Sequence, residues 1–264
     1  EPNFVHYSCK YDNGLECYQE TSFHEIKGQR AVGERSSLLL TSDVAATRIH
    51  EEVPQAKLIF CLRNPLERAW ANYRFTVLEG LESLSFEQAI ENEQNRMNKA
   101  SGIWAEVQPH AYLTRSRYSS HLQQFVALFG RRNILILKSE DLGRNPHENM
   151  KRVCEFLQVD SSIRLSLPPN FSSPSVVDRV LQMELRSYFG SRFSEIVESI
   201  RREEDVSALV ESEEDSINVL RLKGNLSVGK DPLPEHLRMH LRETFSSEIA
   251  DVRKLVDFEV NDWA

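Results

Sequence analysis

Two stretches of the chain carry residues whose types and spacing can do chemistry. The first runs from Lys57 to Phe75 and contains the basic turn Arg63-Asn64-Pro65. The apolar run Leu58 to Leu62 before it is too short for a helix and reads as a strand buried on both faces, as in a parallel sheet. Pro65 disfavours the α region for Asn64 and suits the first turn of a new helix, which the pattern starts at Leu66 with Glu67 near its positive end. Arg63 then stands at the carboxyl end of a parallel strand, where open α/β sheets bind ligands, beside free helix N–H groups. Anion binding is the chemistry this arrangement offers. The plainer reading is a strand-to-helix turn in which Arg63 and Arg68 pair with Glu67 or Glu79. The second stretch, Gln29 to Leu40, sets a carboxylate beside a guanidinium in Gly33-Glu34-Arg35-Ser36-Ser37, between Ala31-Val32 and Leu38-Leu40. It reads as a short strand entering a loop, with a surface Glu34–Arg35 pair as its plain alternative.

The elements that must position these residues follow from periodicity. Asp12-Asn13-Gly14 signals a turn or helix start, with Leu15, Tyr18 and Phe23 on one face. Thr41-Ser42-Asp43 is expected to cap a helix from Val44 to Val53, closed by Pro54, with Ala45, Ile49 and Val53 inward. After Phe75, helix is expected between Leu81 and Asn98, and residues 102–112 read as irregular. Tyr118, Leu122, Phe125 and Phe129 recur at helical spacing and lead into a second buried strand, Ile134 to Leu137. Pro146 starts a helix whose inward face is Met150, Val153, Phe156 and Leu157. A Pro/Ser/Asn-rich loop covers residues 168–174. The stretch from Val176 to Glu214 reads as helical, anchored by Val180, Met183, Leu185, Phe189, Phe193 and Ile196, with the charge runs of 201–215 as a solvated face. A final helix begins at Glu235 and continues through Ile249, Val252 and Leu255. Helix, strand and helix in succession is the rhythm of a parallel sheet with crossover helices.

The totals bound the function classes. With 264 residues, 40% hydrophobic and 27% charged, the chain can bury a substantial core, and one domain is expected because no low-complexity linker interrupts it. A net charge of −8 and a pI near 5.6 argue against a nucleic-acid footprint, and mildly against a long polyanionic acceptor such as a heparan chain. No apolar run approaches the ~20 residues that span a bilayer. No secretory signal opens the chain. Cys9, Cys17, Cys61 and Cys154 lack metal-type spacing; Cys61 and Cys154 read as small buried residues, and a reducing, cytoplasmic setting is expected.

The pattern Leu-Arg-Asn-Pro-x-x-Arg-Ala-x-x-x-Tyr after a buried strand resembles the 3′-phosphate-binding segment of the sulfotransferases that use 3′-phosphoadenosine 5′-phosphosulfate (PAPS). The branch it resembles is the bacterial and heparan-sulfotransferase-like one. Further blocks are similar in the family's order. Glu1-Pro2-Asn3-Phe4 and Gly14-Leu15-Glu16-Cys17-Tyr18 are like its Glu-Pro-x-Phe and Gly-Leu-x-Trp-Tyr pieces. Gly33 to Ser36 is like its Gly-Glu-Lys-Ser/Thr segment, and Tyr118 to Leu157 like its Tyr-x-x-x-Leu to Phe-Leu run. The resemblance implies a P-loop-like three-layer α/β fold, a central parallel sheet flanked by helices, over residues 1–264. Residues 176–222 would be a helical cover over the acceptor site. The family's Gly-rich phosphosulfate loop has no counterpart among these residues and is expected upstream of Glu1.

By the same resemblance Arg63 would grip the nucleotide's 3′-phosphate with its planar fork. The serine that usually assists stands here as Ala71, so Asn72 or a backbone N–H would replace its donor. Lys223-Gly224 is similar to a late Lys-Gly loop that touches that phosphate. Glu34 would be the general base for the acceptor hydroxyl, and Arg35 would stabilise the transferring group. Glu140-Asp141-Leu142 would tie strand to loop. Arg115 and Arg117 face the nucleotide or solvent. His24, His110 and His121 match no motif and read as ordinary residues. The implied reaction moves a sulfuryl group from PAPS to a hydroxyl, leaving adenosine 3′,5′-bisphosphate and needing no metal. The acceptor would be a small metabolite, a sugar or a hydroxyacyl chain on a carrier protein. The rivals are a non-catalytic nucleotide-binding relative and a small-molecule kinase; the second would need a Walker loop, which this sequence lacks.

Overall fold

A computed structural model describes residues 2–162, 174–227, 229 and 231–263. At its centre strand β1 (Leu58–Leu62) pairs in parallel with β2 (Ile134–Lys138), in the register Leu58↔Ile134 through Leu62↔Lys138. Leu58, Phe60, Leu62, Ile134 and Ile136 face the main apolar cluster. That cluster also takes the Pro65–Leu78, Ser119–Phe129 and Glu235–Arg253 helices and Trp263. The Pro146–Leu157 helix packs on β2. The chain is therefore α/β, helix-rich, with a parallel strand pair.

A second cluster gathers Leu185, Phe189, Phe193, Ile196, Val219 and Leu222 from the helices Arg179–Phe189, Phe193–Arg201 and Glu213–Asn225. Beside it β3 (Ser175–Val176) pairs antiparallel with β4 (Leu226–Ser227). Leu78, at the end of the Pro65–Leu78 helix, belongs to this second cluster, so that helix reaches from one cluster to the other.

Several expectations need correction. Residues 29–36 form no strand and run as coil, mostly exposed, ahead of a 3₁₀ turn at Leu39–Thr41. The following helix spans Ala45–Glu52 with Val44 at its N-cap and no side-chain cap, so Thr41-Ser42-Asp43 does not cap it. Val53, expected inward, is 46% exposed because the helix has ended before it. Cys61 is exposed rather than buried: successive residues of a strand face opposite ways, and the face opposite Phe60 and Leu62 is only partly covered. The Leu81–Asn98 region is two helices, Phe86–Glu91 and Glu93–Lys99, the first with a Ser85/Gln88 capping box. A short helix, Ile103–Val107, occupies the stretch read as irregular. Val180 and Met183 are exposed, because the Arg179–Phe189 helix turns Leu185 and Phe189 inward instead. Most of the loop read at 168–174 lies outside the described residues.

Candidate active site at the carboxyl edge of strand β1

β1 delivers Arg63 to the turn expected from sequence. The Asn64 side chain accepts from the Leu66 N–H at 2.9 Å and caps the Pro65–Leu78 helix, with Pro65 in its first turn. The turn is locked from three sides. Glu140 accepts from the Asn64 N–H at 2.9 Å, which ties the end of β2 to this loop as expected. The Tyr118 hydroxyl donates to the Arg63 carbonyl at 3.1 Å, and the Asn64 amide reaches the Asp262 carbonyl at 3.5 Å. Tyr118 lies in the core, and burial pushes its hydroxyl well above the ordinary tyrosine range, so it remains a donor.

The backbone of Arg63 is thus fixed while its side chain stays accessible, at 44% exposure. The nearest carboxylate, Glu67, is 3.7 Å away and is held more closely by Arg238, at 2.7 Å. An exposed pair of this kind contributes little to stability, and an arriving oxyanion displaces it readily. Arg68 does not pair with Glu79, which accepts instead from Arg186 and Ser194.

Around this turn the other expected residues scatter. Asn72 shares a helix face with Arg68, but its amide donates to the Pro109 carbonyl at 3.0 Å and so fastens the loop around Pro109. Glu34 and Arg35 lie on the exposed 29–36 coil. The Glu34 carboxylate accepts a short hydrogen bond from the Tyr18 hydroxyl, and the Tyr18 ring stacks on Phe4 at 4.3 Å. Ser36 donates to Asn3 at 2.6 Å, which lays the coil over the N-terminal segment. Glu34 and Arg63 share no hydrogen bond or ion pair among the described residues.

Lys223 and Gly224 are not in a loop. They occupy the last turn of the Glu213–Asn225 helix, which packs on Arg179–Phe189 and Phe193–Arg201 in the second cluster. Helix capping explains the difference: Ser212 and the acidic first turn start this helix strongly, and it runs on through Gly224 to Asn225. Within the 201–215 charge run, Asp215 is buried against Arg192 at 2.8 Å rather than solvated. Of the histidines, His110 bonds the Leu81 carbonyl at 3.0 Å, and burial lowers its basicity.

Periodicity did not reveal two further groups. On the face of the Pro65–Leu78 helix that bears Trp70, Tyr73 and Arg74 lies a cleft of about 260 Å³, closed by Val176, Arg179 and Asp231. Its cations are already engaged: Arg74 donates to the Pro174 carbonyl and Ser175 hydroxyl, and Arg179 to the Tyr73 hydroxyl and Leu84 carbonyl. On the Arg68 face, Arg68 Nη1 lies 3.4 Å from Ser116 Oγ, and the adjoining Arg115 is within electrostatic reach of Arg68 on one side and His6 on the other. Only an Arg-Ser-Arg run near an apolar helix hinted at this group, since Arg115 turns inward while Arg117 stays exposed.

Comparison with known proteins places the chain in a family. The profile of the sulfotransferase domain matches residues 1–207. Heparan sulfate glucosamine 3-O-sulfotransferase 6 of Mus musculus is 27% identical over 162 residues, 60% of this chain and 43% of that protein. Heparan sulfate glucosamine 3-O-sulfotransferase 3A1 of Homo sapiens is 28% identical over 166 residues, 60% of this chain and 36% of that protein. The chain thus spans less than half the length of these curated relatives. A crystal structure of a sulfotransferase from Alicyclobacillus acidocaldarius superposes with a TM-score of 0.63 at 20% identity, covering 95% of this chain and 74% of that one, which shows a shared fold. The match over most of its length, together with that fold, makes this chain a member of the sulfotransferase domain family.

Proposed function

We propose that this chain transfers a sulfuryl group from PAPS to a hydroxyl acceptor. In that reaction the alcohol oxygen bonds to sulfur, the bond from sulfur to the 5′-phosphate oxygen breaks, and the alcohol proton passes to a base. The products are a sulfate ester and adenosine 3′,5′-bisphosphate. The observation that carries the reading is Arg63. A guanidinium fork with much of its surface in solvent stands at the carboxyl end of a parallel strand and at an Asn64-capped helix N-terminus. Its assigned partner is the 3′-phosphate. With Ala71 lacking a hydroxyl and Asn72 holding the Pro109 carbonyl, Arg63 carries that contact with backbone N–H groups alone.

Glu34 is our choice for the base and Arg35 for stabilising the transferring group. Glu34 would exchange the Tyr18 hydroxyl for that of the acceptor, since both are O–H donors to one carboxylate. The acceptor class stays as wide as a metabolite, a sugar or a carrier-bound chain. Engagement of Glu34 by Tyr18 also favours a second reading, nucleotide binding without turnover.

Titration calorimetry with adenosine 3′,5′-bisphosphate tests the central contact. Arg63→Ala is expected to weaken binding by about tenfold or more, the worth of charged hydrogen bonds, with an unchanged melting temperature. Failure of the unaltered protein to bind that nucleotide sinks the proposal. Transfer of label from [³⁵S]PAPS to any hydroxyl compound, lost in Glu34→Gln, separates catalysis from binding alone.

A further inference from the structure

Arg68 and Arg115 are deeply surrounded by protein yet keep some accessible surface, as side chains at the bottom of a crevice do. Ser116 joins them. Its hydroxyl donates to the Tyr112 carbonyl at 2.8 Å and so presents a lone pair to Arg68. No carboxylate among the described residues forms an ion pair with either guanidinium. Two of the nearby acids are committed chiefly to the backbone. Glu93 accepts from the Leu113 and Thr114 N–H groups and the Thr114 hydroxyl, and Glu248 from the Tyr118 and Ser119 N–H groups and the Ser119 hydroxyl.

Other polar atoms beside the pair are also unused. Arg115 Nε and Glu106 Oε2 are buried without a hydrogen-bond partner, and the buried His6 ring has only a weak contact with the Glu106 backbone. Burial and the neighbouring Arg68 charge bring the Arg115 guanidinium down to about 9, and burial also lowers His6, which Arg115 and Arg48 further oppose while Glu106 favours its charge. Glu93 favours the charged form of Arg68 without pairing with it, and two adjacent cations with no ion-paired carboxylate are costly to keep in a protein interior; such sites cluster where a ligand supplies the charge.

We propose that Arg68 and Arg115, with His6 beside them, form a second oxyanion site, separate from Arg63, for a tetrahedral sulfate-type group. The planar forks of two arginines suit such a group, and a histidine ring N–H adds a third donor. Arg68 shares the Pro65–Leu78 helix that the Arg63 turn opens, and His6 belongs to the N-terminal segment whose Asn3 accepts from Ser36 of the Glu34 coil. Two sources fit that position: the sulfuryl group being transferred, or an anionic substituent on the acceptor. The choice between sources rests on the sulfotransfer reading; binding of the oxyanion does not.

Titration of the protein with sodium sulfate at constant ionic strength tests the site. Sulfate is expected to bind, and Arg115→Ala and Arg115→Gln each to weaken it about tenfold or more. Arg63→Ala, measured alongside, removes sulfate bound at the Arg63 turn and is expected to leave the Arg115-dependent part of the binding in place. Thermal melts confirm that the Arg115 variants fold; Arg68→Lys, which keeps charge but loses the fork, serves if they do not, and is expected to weaken sulfate as well. If Arg115→Ala lowers affinity for PAPS but not for adenosine 3′,5′-bisphosphate, the site takes the transferring group. If it lowers neither while sulfate binding is lost, the site takes an acceptor anion. Absence of sulfate binding, or sulfate binding indifferent to Arg115 and Arg68, overturns the proposal, with Glu106 or Glu140 then neutralising the pair internally. A protein that binds sulfate but not adenosine 3′,5′-bisphosphate retains this site and loses the sulfotransfer reading.

Discussion

At the scale of single residues, charge in this protein falls into anchored and available groups. Asp215 is anchored. It accepts from Arg192 at 2.8 Å and from the Glu211 N–H, also at 2.8 Å, and these hold its carboxyl down at about 2, below the ordinary aspartate value near 3.9. A folded-state pKa below the unfolded one means stability that is complete above about pH 4 and is lost as pH falls toward 2. Asp215→Asn should therefore lower stability at neutral pH and flatten the acid limb between about pH 4 and 2. Urea melts across that range read the effect, and an acid limb with unchanged slope would refute it. Arg63 is an available group. Its one carboxylate neighbour among the described residues is shared with Arg238, and its guanidinium can turn toward a phosphate. Arg115 has been moved from one class to the other by the fold, since a residue that could equally have been solvated is set against Arg68 and His6.

At the scale of elements, the Pro65–Leu78 helix organises the rest. Its N-terminus presents Arg63, one face carries Arg68 and Asn72, another carries Trp70, Tyr73 and Arg74, and its C-terminal end enters the second cluster. That end depends on Gly80. The residue has φ +63°, and a Cβ there would stand 2.8 Å from the Gln182 carbonyl oxygen and 2.9 Å from Arg186 Cβ. The absence of a side chain lets the Gln182 amide donate to the Leu78 carbonyl at 2.6 Å and Arg186 to the Glu79 carbonyl at 2.7 Å. Gly80→Ala combines a left-handed backbone with a backbone clash and should cost about 1–3 kcal/mol. A denaturant midpoint equal to that of the unaltered protein would show that the two helices can separate without penalty.

At the scale of the whole molecule, two apolar clusters divide the work. The main one builds β1, β2 and the edge on which Arg63, Tyr118 and Glu140 meet. The second, around Phe193, holds the region expected to be a helical cover, and that role stays a proposal. Phe193 is fully buried, so Phe193→Ala should destabilise by about 3–5 kcal/mol. Where the variant remains folded, affinity for adenosine 3′,5′-bisphosphate should stay within about twofold, because distant sites couple weakly. A large loss of nucleotide affinity would instead place the second cluster in the site. Among the described residues no helix is long and apolar enough to cross a membrane, and the four cysteines are free thiols.

Features set by short-range sterics were legible before any fold was known. β1 spans the apolar run read for it, the Arg63-Asn64-Pro65 turn follows, and Tyr118, Leu122, Phe125 and Phe129 are core. Each of these follows from a pattern a few residues long: an apolar run, a proline that sets φ, a helical period. Motif order made the family visible for the same reason. Misreadings arose where a local signal met no partner. Ala31-Val32 found no strand to pair with, Cys61 faced a side left partly open, and Lys223-Gly224 was carried along by a well-capped helix. Tertiary structure alone decided that Arg68, Arg115 and His6 come together. They span more than a hundred residues of sequence from His6 to Arg115, and no spacing rule encodes which of two neighbouring arginines turns inward. It also decided that Glu34 is held by Tyr18, because a hydrogen bond across sixteen residues of helix and coil depends on how that coil is laid over the N-terminal segment.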